Sequence, residues 1–164
     1  MRVVVLLVLW IPLSAQQPTN QPCRALEYRQ FDFWIGTWDV FNPAGERVGT
    51  NTIDTVLGGC ALHEAWTGTR GYPGFSYNIW DQSRGLWHQT WVSGTGNLLM
   101  LEGGWRDGSM VLEGQVQRPQ GPVRNRIVWT PLAPDSVRQH WQTWNDSQGV
   151  WATTFDGLYV RKRD

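Results

Sequence analysis

The sequence predicts an all-β protein: one antiparallel up-and-down barrel of about ten strands behind a short helical lead-in. Three observations carry this. Turn-forming clusters recur roughly every 8 to 12 residues from Phe33 onward. Between them lie short runs in which apolar and polar residues alternate, with no long helical period. Eighteen glycines and twelve tryptophans in 164 residues, with few Lys or Glu, suit strands and turns rather than helices.

Taken in order, residues 1–15 read as a secretory signal. Arg2 supplies the positive start, Val3 to Leu13 the apolar stretch and Ser14-Ala15 a small-residue cleavage site. The apolar stretch, broken by Pro12, is too short to span a bilayer, and no later stretch approaches a span. The chain is therefore expected to be exported to the periplasm or beyond after cleavage near Ala15, with no integral membrane segment. Residues 16–30 hold a polar leader, Gln16 to Pro22, and one short helix, Arg24 to Gln30. Residues 31–164 form the barrel domain. Its strands are expected to begin near Phe33, Arg47, Cys60, Phe75, Leu86, Asn97, Ser109, Val123, Ser136 and Val150. Connections this short favour consecutive hairpins, and such a meander hides its edges best by closing. A barrel of eight to ten strands is just wide enough to fill with side chains or to hold one small ligand.

Charge and cysteines narrow the partners. The chain has 14 basic and 14 acidic side chains, and loss of Arg2 with the leader leaves a net of about −1. A nucleic-acid binder usually carries a basic stripe; the basic run here is Arg161-Lys162-Arg163 at the extreme terminus, so nucleic acid is not an expected partner. Cys23 and Cys60, in an exported chain, suggest a disulfide. It would stabilise the fold by roughly 4 kcal/mol in the chain-entropy model; the other reading is two buried free thiols.

Three pentapeptides share a pattern: "LHEAW" from Leu62, "WHQTW" from Trp87 and "VRQHW" from Val137. Each reads apolar, basic, Glu or Gln, any residue, Trp. Their starts lie 25 and then 50 residues apart, and the missing step, position 112, opens "LEGQV". Two strands with their turns span that distance, so the four strands would run in one direction. Alternate residues of a strand share a face. Glu64, Gln89 and Gln139 are thus expected inside at similar depth, with Gly114 leaving space among them. Trp66, Trp87, Trp91 and Trp141 would point inward too, as would Trp34, Trp38 and Trp151.

The same rule turns His63, His88 and His140 outward. That argues against an internal haem or zinc site, which would want an inward imidazole. With no Cys cluster and no HExxH, no metal and no cofactor are expected. An inward Glu64 wants a partner, because an unpaired buried carboxylate is costly or becomes protonated. Arg126 in "RNRIVWT" is the candidate, although the opposite face of that run, Asn125, Ile127 and Trp129, is the more apolar. A Glu64–Arg126 pair reads either as a structural ion pair or as an anchor for a ligand head group. The Gln and Glu row would also supply acceptors for buried indole N–H groups. No GxSxG elbow, P-loop or GxGxxG is present, and no catalytic residue is assigned.

"FDFWIGTWDV" (31–40) contains Gly36-Thr37-Trp38, which resembles the GxW signature of lipocalins and wider calycin-like barrels. The resemblance implies that a basic residue near the C-terminus packs over this Trp, and Arg161 matches in position. With "LGGCALHEAW", "GFSYNIWD", "LWHQTWV", "RIVWTPL", "SVRQHWQ" and "FDGLYVR", the chain from Phe31 to Arg161 resembles an uncharacterised family of exported bacterial calycin-like barrels. What this implies is fold more than activity. The related nitrobindin group binds haem through a histidine near the C-terminal strand, but "WATTFDGLYVRKR" has none, so haem does not carry over.

The function expected from these readings is binding of a small, partly apolar molecule. Glu64, Gln89, Arg126 and Gln139 would orient its polar end, and Trp66, Trp87, Trp91 and Trp141 would line the apolar part. The alternatives are a barrel isomerase, cyclase or hydrolase using Glu64 as acid/base, or a packed domain without a ligand.

Overall fold

A computed structural model describes residues 22–163. The expected secretory signal and the leader up to Gln21 lie outside the described residues. Three short 3-10 turns, Leu26–Arg29, Asp32–Trp34 and Leu57–Gly59, accompany ten strands. These are β1 (Gly36–Phe41), β2 (Arg47–Val56), β3 (Ala61–Gly68), β4 (Gly74–Asp81), β5 (Leu86–Ser93), β6 (Leu98–Arg106), β7 (Ser109–Arg118), β8 (Gly121–Ala133), β9 (Ser136–Asn145) and β10 (Val150–Arg161). Every neighbour in sequence is an antiparallel neighbour in space, and β1 pairs with β10 to close the barrel. Among the described residues, no helix is long and apolar enough to cross a membrane.

The first strand starts later than Phe33, because Asp32–Trp34 curls into a 3-10 turn that folds under the barrel. Phe31 and Trp34 are fully buried there. Phe31 stacks on Trp34 at 4.9 Å and meets the rings of Trp129 and Trp87 edge-on at 5.2 and 5.6 Å. This end is a plug. Gln30 Oε1 accepts a hydrogen bond from the Trp87 indole at 3.1 Å, and a Cys23–Cys60 disulfide ties the lead-in to the start of β3. Arg161 lies with its guanidinium 4.2 Å over the Trp38 ring and donates to the Ile35 carbonyl at 2.9 Å. Gly36 beneath it holds φ +135°, a backbone conformation that favours glycine.

Inward phase follows the alternation except where a bulge intervenes. β10 shifts register between Thr153 and Phe155, which places Phe155, Gly157 and Tyr159 inside. The extra residue reverses the phase toward the strand's start. Trp151, expected inside, is therefore on the outer face. It packs against Trp144 at 5.4 Å and under the guanidinium of Arg126 at 4.4 Å.

Candidate functional site

β3, β5 and β9 run in the same direction around the closed meander, and each contributes three inward residues in the same order. At the plugged end come Leu62, Trp87 and Val137, all fully buried. Next come Glu64, Gln89 and Gln139, with 5%, 2% and 8% of their surface exposed. Above them stand Trp66, Trp91 and Trp141, half-buried. The expected inward row is in place, and His63, His88 and His140 are outside. His63 stacks on Phe75, His88 bridges Glu102 and Thr90, and His140 reaches Thr153. β7 places Leu112, Gly114 and Val116 in the corresponding positions, yet Gly114 opens no space. A Cβ there would meet the Met100 backbone and the Leu101 side chain, so the glycine lets two strands approach.

The polar row is joined by residues the sequence reading did not single out: Asn51, Ser76, Asn78 and Tyr159. Gln89 donates to Asn78 Oδ1 at 2.8 Å, and Asn78 donates to Ser76 Oγ at 2.9 Å. The Ser76 hydroxyl donates to Glu64 Oε2 at 2.6 Å. From the other side, Asn51 Nδ2 donates to Glu64 Oε1 at 2.7 Å and to the Tyr159 hydroxyl at 3.3 Å. Tyr159 in turn donates to Gln139 Oε1. Seven side chains from six strands thus form one continuous arc, with donors converging on the Glu64 carboxylate and a glutamine amide at each end. The indoles do not draw on this row. Trp38 donates to the Trp34 carbonyl and Trp141 to Asn125 Oδ1, each at 2.9 Å.

Among the described residues, Glu64 has no cation hydrogen-bonded to it; its partners Asn51 and Ser76 are neutral. Burial drives its pKa above the ordinary carboxylate range, against the opposing pull of the Ser76 and Asn51 hydrogen bonds. Burial also holds the Tyr159 phenol well above its usual value, and the nearby Glu64 charge adds to that. Arg126, expected to pair with Glu64, is on the outer face. Its register partners Glu113 and Gln142 point outward, and it donates to Gln142 Oε1 at 2.7 Å. Asn125, Ile127 and Trp129 take the interior instead, because burying the apolar set of a strand outweighs one ion pair.

Above the arc lies a cavity of about 250 Å³. Glu64, Gln89, Gln139 and Tyr159 form its polar floor, Trp66, Trp91, Trp129, Trp141, Phe155, Leu99 and Ile127 its apolar wall, and Thr154 adds a hydroxyl-bearing side chain. Of the eight residues expected at a ligand site, six line this cavity. Arg126 does not, and neither does Trp87, which is sealed in the plugged end against Phe31. Glycines make room for two of the rings: a Cβ at Gly49 would strike the Trp66 indole, and one at Gly74 would strike that of Trp91. Among the described residues, no group of three or more His, Cys, Asp or Glu is placed to hold a metal ion. No protein-family model matches the chain, and neither does any curated protein sequence.

Proposed function

We propose that this barrel is an exported small-molecule carrier or receptor that holds its ligand in the cavity above the polar arc. One observation carries the reading. The interior is packed at one end, while at the other an aromatic-lined space remains beside the two terminal amides of a hydrogen-bonded chain. Ligand sites generally combine an apolar wall with a few convergent polar groups. At about 250 Å³ the cavity falls just under the ~300–1,000 Å³ of drug-sized sites, so the ligand is small. It also far exceeds the ~30 Å³ share of one water molecule, which argues against a fully packed domain. The enzymatic alternative loses support, because the arginine meant to hold an anion beside Glu64 is outside the barrel. Kinship with the exported calycin-like barrels belongs to the same proposal and is supported by Arg161 lying over Trp38.

Native mass spectrometry on protein purified from its own host tests this. A retained small molecule is expected, lost when Leu99→Trp fills the cavity or Gln89→Ala removes one amide. Folded variants that keep the molecule unchanged would place it elsewhere and defeat the reading.

A further inference from the structure

The cavity wall says something about the charge of what it holds. Glu64 is the only carboxylate among the described residues lining the space, and none of them is Lys, Arg or His. An ionised carboxylate offers about four lone-pair sites. Here two donors, Ser76 Oγ and Asn51 Nδ2, serve its two oxygens. Buried carboxylates are ordinarily matched by a cation or a metal, and among the described residues this one has only neutral hydrogen-bond partners. Six of the lining residues are aromatic, Trp66, Trp91, Trp129, Trp141, Phe155 and Tyr159, and the others besides Glu64 are neutral. Aromatic faces attract cations, by about 0.5–1 kcal/mol at exposed sites and ~2 or more where water is excluded. A cation in the space would favour the ionised form of Glu64, which burial alone disfavours, whereas an anion would disfavour that form further.

Resting on the binding reading above, we infer that the ligand's polar head is a small organic cation, a protonated or alkylated amine, for which Glu64 is the counter-charge and the tryptophans the surrounding cage. The amine N–H groups would donate to the carboxylate and to Gln89 Oε1, and the apolar remainder would lie against Leu99 and Ile127. The barrel would then lack one half of an ion pair that its ligand supplies.

Three compounds of matched shape separate charge from shape: 2-phenylethylamine, 2-phenylethanol and 3-phenylpropionate. They are titrated into the wild-type protein by calorimetry, with quenching of tryptophan fluorescence as a second readout. The amine is expected to bind at least about tenfold more tightly than the alcohol, and the acid more weakly than both. In Glu64→Gln, checked for folding by circular dichroism, the amine should fall to the alcohol's affinity while the alcohol's own affinity changes little. An alcohol or acid that binds as well as the amine overturns the cation inference and leaves the binding reading standing. So does an amine preference that survives in folded Glu64→Gln. Should that variant not fold, the wild-type ranking decides alone. If none of the three binds at millimolar concentration, both readings fail.

Discussion

The two ends of this barrel are built from the same residue type and put to different uses. At the lower end Trp34, Trp38, Trp87 and Trp129 are fully buried and touch one another, Phe31 or Tyr159 through ring contacts of about 5–6 Å. At the upper end Trp66, Trp91 and Trp141 also point inward, four residues beyond Leu62, Trp87 and Val137 on their strands, yet stay half-buried around a space. What differs is the cap. The Asp32–Trp34 turn inserts its rings from below, and the turns at the upper end contribute no side chain to the cavity lining. Inward direction decides that an indole is inside; whether it becomes core or wall depends on what else enters.

The largest way to break this comparison is to remove a ring from each end. Trp34→Ala empties a close-packed site and should cost about 3–5 kcal/mol, enough to take much of the stability of an ordinary domain. Trp91→Ala removes a half-buried ring beside a space already present and should cost about 1–2 kcal/mol. Urea unfolding of both variants checks the ordering. Equal losses would mean that the upper end is packed as tightly as the lower.

The strands themselves were readable because turn chemistry recurs and nearly every connection is a hairpin; Arg47, Leu86, Ser109, Ser136 and Val150 begin strands as expected. The polar row was readable because three pentapeptides repeat one phase. The rest of the arc was not, and β4 shows why. Its outward residues Phe75, Tyr77 and Ile79 are the apolar set and stay exposed, while Ser76 and Asn78 face inward. Alternation reveals two faces but not which one is buried, and hydropathy chooses wrongly when a polar network occupies the interior. In β8 hydropathy chooses correctly, putting Ile127 and Trp129 inside and Arg126 out, although an inward Glu64 favours a cation on the opposite choice of face. Trp151 failed for a third reason, since one bulge residue reverses every position beyond it.

A middle-sized effect sharpens the role of the arc between the two ends. Burial raises the folded-state pKa of Glu64 above its ordinary value of 4.5. The folded protein therefore keeps a proton that the unfolded chain releases. Stability contributed by this group is complete below the ordinary value and is lost as pH rises through the raised one. Glu102 and Asp156 act in the opposite sense: Arg84 and Arg138 hold their carboxyls below the usual range, so their contribution is lost in acid. Comparing wild type with Glu64→Gln cancels those terms. The wild-type stability should fall relative to the variant as pH is raised from about 4.5, in urea titrations at stepped pH. Parallel curves would mean that Glu64 is solvated or paired.

The smallest effect concerns a residue that chemistry nominated and geometry removed. Arg126 lies 4.4 Å over the Trp151 ring and donates to Gln142, all on the outer wall. A cation–π contact on the outer wall stabilises by about 0.5–1 kcal/mol, and the guanidinium–amide hydrogen bond beside it adds little net, because water replaces it. Arg126→Ala should therefore lower stability by about 1 kcal/mol or less and leave amine binding in the cavity unaltered. Arg126 is on β8 and Glu64 on β3, five strands apart whichever way round the closed barrel is followed, and Arg126 is on the outer face, so any coupling would have to pass through the sheet. A tenfold loss of binding in Arg126→Ala, with the fold intact, would show that the wall is not the divide the register makes it, and that the charge partner of Glu64 belongs to the chain after all.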